Sequence, residues 1–237
     1  MFSFFYWYAN FNKKIHALKE EIEDEHHEPH QADYNAPKAS LKGRKGMLSF
    51  ILIVSLVYLL AYIVYYAFNN WVPTLLYNNG NGISKVYSPL VSTIVAFLVG
   101  GASIYGTNLF MQTKRMYALA IGLIVLVITS SIALTFLYEN TVAVVVFSSL
   151  LLSGAKMASL PYNSVMTYKI RDVIEPGNFT YVLNGCASIA AGVAPTLSSL
   201  VFEAFGWPIL FITLALLSLV VITLTLIIMK KEKKLLG

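Results

Sequence analysis

Residues 179–229 read FTYVLNGCASIAAGVAPTLSSLVFEAFGWPILFITLALLSLVVITLTLIIM, and the only charged side chain in them is Glu203. One helix crosses the roughly 30 Å of bilayer hydrocarbon with about 20 residues, so a stretch of about 50 must be two helices. The break falls in EAFGWP, 203–208, where Gly206 and Pro208 stop a helix and Phe205 and Trp207 suit the headgroup boundary. Four further apolar segments precede this one, at about 47–69, 86–110, 117–137 and 141–168. The expected fold is an all-α membrane protein with six transmembrane helices.

The charges between the segments agree. Lys38, Lys42, Arg44 and Lys45 precede the first, Lys114 and Arg115 lie between the second and third, and Lys169 and Arg171 lie between the fourth and fifth. Lys230, Lys231, Lys233 and Lys234 follow the last, whereas the links around 78–84, 138–140 and 203–206 are nearly free of Lys and Arg. Positive charge is retained on the cytoplasmic side, so the alternation describes a chain threading back and forth through a bilayer with both termini cytoplasmic. The expected location is the plasma (inner) membrane.

Composition leads to the same class. With 57% hydrophobic and 12% charged residues over 237 positions, the chain has too little polar surface to be a water-soluble globule. Its net charge of +5 sits beside apolar segments, which points to anionic headgroups as partner and not to nucleic acid. The lone Cys186 excludes an intrachain disulfide and a thiol metal cluster. MFSFFYWYAN lacks a basic leader and a cleavage site, so no signal peptide is expected.

Three regions follow. Residues 1–46 comprise an aromatic patch, expected to be the cytoplasmic end of a preceding helix, and a charged cytoplasmic linker. Within it KKIHALKEEIEDE suits a short surface helix. His26, His27 and His30 beside Glu25 and Glu28 have a metal-binding composition, but their spacing is not that of a closed site, and the reading is a solvated linker with no metal. Residues 47–229 form the transmembrane domain, and 230–237 a basic cytoplasmic tail. Asn178-Phe179-Thr180 matches a glycosylation pattern but falls on the expected cytoplasmic side.

The six helices divide into two similar three-helix repeats. The first helix of each ends in a breaker, Asn69/Asn70 or Pro161. The second carries small residues on one face, Ser92, Ala96, Gly100 and Ser103 in one repeat and Asn184, Ser188, Gly192, Pro195 and Ser199 in the other. The third is mostly aliphatic. Such faces allow close helix approach or line an aqueous path, a division of labour seen in secondary transporters.

Two polar stripes stand out. Lys156 is the one full charge well inside a segment, with Ser149, Ser153, Ser159 and Asn163 close to its face. It either faces a cavity or partner, or snorkels to inner headgroups from about 22 Å below the outer edge. Tyr58, Tyr62, Tyr65 and Asn69 form the second stripe, suited to stacking on a solute or to packing between helices. Asn184 would add an amide to the same cavity or act as interhelical glue. These seven residues, Tyr58, Tyr62, Tyr65, Asn69, Lys156, Asn163 and Asn184, are the candidate substrate-binding set. No cofactor is implied, and no nucleophile elbow, nucleotide loop or paired carboxylate within the helices suggests an enzyme.

The stretch LVYLLAYIVYYAFNNWVPTLL (56–76) resembles the seventh helix of anion-transporting branches of the major facilitator superfamily, and 174–207, IEPGNFTYVLNGCASIAAGVAPTLSSLVFEAFGW, resembles the eleventh helix and the entry to the twelfth. The resemblance covers the whole chain as the carboxyl-terminal half of such a transporter. It implies a secondary carrier of a small, anionic solute working by alternating access, with a proton or sodium ion as coupling ion and a second six-helix half or second copy as partner. The chain departs from the family at GTNLFMQTKR (106–115), where Phe110 and Met111 stand in place of the family's Asp-Arg pair, so the salt-bridge latch is not expected. The alternative reading is a membrane assembly or scaffold protein with the linker as docking arm.

Overall fold

The computed structural model describes residues 41–78, 87–112, 115–170, 174 and 176–235. The amino-terminal aromatic patch, the predicted surface helix, the histidine cluster, Lys38, Lys114 and Arg171 lie outside them. All regular structure among the described residues is helical: α1 (Leu41–Asn69), α2 (Val72–Asn78), α3 (Ser88–Gln112), α4 (Met116–Leu137), α5 (Thr141–Asn163), α6 (Val165–Lys169) and α7 (Pro176–Leu235). Five of these stretches are long and apolar enough to cross a membrane. Away from water every backbone N–H and C=O needs an internal partner, so apolar runs rich in Val, Ile and Tyr, poor helix formers in water, become helices here.

Helix ends follow local chemistry. Asn140 caps α5 by accepting the Ala143 amide at 3.0 Å, and the Asn140 amide closes a turn onto Leu137, so α4 and α5 are joined by a tight link. Pro161 sits in the last turn of α5, and after Ser164 the chain resumes as α6. The fifth membrane-length element, α7, is interrupted at Gly206, whose φ of 77° and ψ of −174° belong to a region that essentially only glycine occupies. Its two arms, 176–205 and 207–235, both line one apolar cavity of about 280 Å³ with Ile63 and Ala67 of α1, so the second arm doubles back along the first.

Two boundaries differ from the sequence reading. Helix α1 begins at Leu41, inside the stretch assigned to the linker, and α7 continues to Leu235, so most of the expected tail is helical. In both places the turns beyond the apolar core are polar, and hydropathy ends before the helix does.

Helices α1 and α5 are central. α1 packs on α5 and α7, α4 on α5 and α7, and α3 chiefly on α5. Burial reflects this, since 56% of the most apolar window of α1 lies inside the bundle against 17% of that of α3. The core runs from Phe50, Val54 and Val57 through Tyr162 to Phe68, Leu75 and Phe211. At the α4–α5 crossing a Cβ on Gly154 would lie 2.9 Å from Val127 Cγ2 and 3.1 Å from the Leu123 carbonyl oxygen. Because one obstacle is backbone, Gly154→Val should destabilise the bundle by about 1–3 kcal/mol, read as a lower Tm in detergent.

Each end of the bundle has its own fastening. At one, Trp71 Nε1 donates to Ser198 Oγ at 2.8 Å, and the Trp71 ring meets Phe202 and Trp207 at 4.8 and 5.5 Å, tying the end of α1 to the break in α7. At the other, Lys231 Nζ donates to Ser49 Oγ at 2.6 Å, and Glu232 accepts from the Tyr117 hydroxyl and from Lys169 Nζ, the latter at 2.5 Å. The starts of α1 and α4 and the ends of α6 and α7 therefore meet, so basic links far apart in sequence share one end. Glu232→Gln keeps the shape but weakens both bonds, and a loss of about 2 kcal/mol is expected, measured as a lower Tm that Tyr117→Phe lowers little further.

Candidate functional site

The site lies where α1 passes α5. Lys156 Nζ donates to the Tyr62 hydroxyl at 2.8 Å and sits 4.4 and 5.3 Å from the ring centroids of Tyr62 and Tyr65, close enough for cation–π attraction. The Tyr58 hydroxyl donates to the same Tyr62 oxygen at 3.3 Å, and the Asn163 side chain lies beside Tyr58. The Ser159 hydroxyl, near Tyr62, donates to the Lys156 carbonyl at 2.7 Å. One hydrogen-bonded line thus runs Tyr58, Tyr62, Lys156, with Asn163 beside its Tyr58 end.

Helical spacing explains the assembly. Tyr58, Tyr62 and Tyr65 occupy one face of α1, and Lys156, Ser159 and Asn163 one face of α5, so a single crossing brings two stripes together. Tyr58 and Tyr62 are buried, at 2% and 8% exposure, whereas Lys156, Tyr65 and Asn163 remain half-buried. Lys156 is therefore less deeply buried than its hydrogen-bond partner Tyr62.

Of the seven candidates, Tyr58, Tyr62, Tyr65, Lys156 and Asn163 gather here. Asn69 ends α1 one turn beyond Tyr65, and Asn184 is exposed on the first arm of α7. Tyr66 belongs to the cluster but was missed: its ring lies 5.8 Å from that of Tyr62 and 5.0 Å from that of Tyr65. The signal was present, because Tyr66 follows Tyr62 by one helical turn. The small-residue faces behave differently from close-packed seams. Ala96, Gly100, Asn184, Ser188 and Gly192 are exposed, and a Cβ on Gly100 or Gly192 would meet nothing within 4 Å.

The electrostatics are simple. Lys156 is the one Asp, Glu, Lys or Arg in the spans Gly46–Tyr77, Ser88–Thr107, Met116–Leu137 and Thr141–Thr167. In the fifth, Gly177–Lys234, the charges are Glu203, bonded to Ser199 beside the break, and the group from Lys230 to Lys234 at the far end. Among the described residues the one ion pair is Lys169 with Glu232, so Lys156 has phenols and rings around it but no carboxylate. The apolar cavity between α1 and α7 is unsuited to a charged ligand, since its Ser198 and Thr213 hydroxyls already donate to the Pro195 and Ile209 carbonyls. No family model and no curated protein sequence matches this chain.

Proposed function

We propose that this chain is one six-helix wall of a secondary membrane transporter, with Lys156 and the tyrosines of α1 binding a small anionic solute. The observation that carries the reading is a half-buried cation set among tyrosines, without a carboxylate, inside membrane-length helices. Such a charge costs about 2.5–3.5 kcal/mol in a bilayer, and burying it beside a solute path is the usual reason to keep it. Support for a six-crossing unit comes from the break at Gly206 and from the basic ends fastened together by Glu232. The two repeats and the major facilitator assignment rest on the sequence resemblance and on the matching breakers after Asn69 and at Pro161.

A single wall needs a second. The exposed small-residue faces of α3 and of the first arm of α7 flank the central pair and suit a second six-helix unit, in the same longer polypeptide, another chain or a second copy. Rocking of one unit against the other would expose Lys156 to either side in turn. Reconstitution of the chain with its second unit, followed by uptake of labelled carboxylates, phosphorylated sugars and neutral sugars, tests the reading. Saturable uptake of an anion supports it. If no solute accumulates, and removing residues 13–46 abolishes the cellular role while Lys156→Ala leaves it intact, the chain is a membrane scaffold instead.

A further inference from the structure

We infer that the site selects solutes carrying one negative charge, a monocarboxylate or its equivalent, over dianions and neutral analogues; this rests on the transporter reading and deepens it. Lys156 contributes +1, and the four spans around it contribute nothing else. Attraction between unit charges grows several-fold as the effective dielectric falls from that of water, so a net charge left in the site is costly in either direction. A monoanion brings this wall of the site to zero. A dianion would leave −1 among apolar helices, and a neutral solute would leave +1.

Donor geometry matches a carboxylate. The ammonium has three N–H donors, and one is on Tyr62, which leaves two for the two oxygens of a carboxylate. Asn163, half-buried beside Tyr58 and about two turns of α5 from Lys156, offers an amide to a more distant polar group of the solute. The faces of Tyr65 and Tyr66 suit the remainder of the solute, either by stacking or by packing on a carbon chain. The titratable groups in contact with Lys156 are the phenols of Tyr62 and Tyr65; Tyr117 of α4 is engaged by Glu232 at the end of the bundle, and Tyr105 of α3 is exposed. No neighbouring acid or base among the described residues alters the count.

The test uses the full chain in lipid nanodiscs and solutes that differ in charge on one carbon skeleton: sorbitol, gluconate and glucarate, with phenylacetate and phenylmalonate as an aromatic pair. Equilibrium binding is expected for at least one monoanion, with the matching dianion and neutral compound weaker by about tenfold or more. Lys156→Gln should erase that preference. Tyr105→Phe, on an exposed face of α3 outside the site, should retain it. Equal or tighter binding of a dianion, preference for sorbitol, or no binding by any member overturns the proposal. Proteoliposome uptake is measured separately: selective binding of monoanions without uptake leaves the charge rule standing and removes the transporter reading, whereas uptake of dianions does the reverse.

Discussion

Replacing Lys156 by Gln is expected to lower uptake of the anionic solute about a hundredfold, a loss near 3 kcal/mol, while the protein stays folded and its Tm holds or rises. The two signs differ for one reason. Without solute, Lys156 is a half-buried charge with hydroxyl and ring partners alone, so neutral Gln relieves desolvation. With solute, the same charge is the counter-ion and its loss strands an anion among apolar side chains. Lys156→Arg should retain part of the activity, since it keeps the charge but alters the reach to Tyr62. A snorkelling lysine would behave otherwise: uptake would be unchanged and the removal of an interfacial anchor would lower stability slightly. Uptake and thermal unfolding on the same preparations separate these cases.

Gly206→Val should have the largest effect on assembly. The backbone there has φ 77° and ψ −174°, where a branched side chain costs about 1–3 kcal/mol in local strain alone. The consequences spread, because the two arms of α7 and the end of α1 converge at this point through Trp71, Ser198 and Trp207. The expected result is poor recovery of folded protein and loss of uptake, read by size-exclusion profile and by transport. Gly206→Ala should sit between wild type and Gly206→Val. Wild-type behaviour of the valine variant would mean that α7 does not turn back at this residue.

Much of this was legible in the chain itself, for identifiable reasons. Helices in hydrocarbon are marked by uninterrupted apolar length, so α3 and α4 lie within two residues of their expected bounds. The break at Gly206 was readable because glycine and proline act locally. Helix α1 begins six residues early and α7 runs on to Leu235 because the polar turns at 41–46 and 230–235 are helical beyond the reach of hydropathy. The short helices α2 and α6 were not foreseen, since five to seven residues carry too little periodicity.

Within the site, helical spacing grouped the tyrosines and grouped Lys156 with Asn163, but which two stripes would meet is a matter of packing. Asn184 illustrates the limit. It shares a face with small residues as expected, yet that face is uncovered in this chain. The Glu232 fastening was invisible for a similar reason: Tyr117, Lys169 and Glu232 are far apart in sequence, and only the closing of the bundle brings them together.

The account depends on a chain that crosses the bilayer six times with its basic links on one side. Single cysteines at positions 114, 169 and 233, and others at 139 and 203, introduced into a Cys186→Ser background and labelled in sealed vesicles of known orientation, test this directly. The first three should react with a membrane-impermeant thiol reagent only from the cytoplasmic side, and the last two only from the opposite side. Labelling of 169 and 233 from opposite sides would mean that α7 crosses once and would contradict the account.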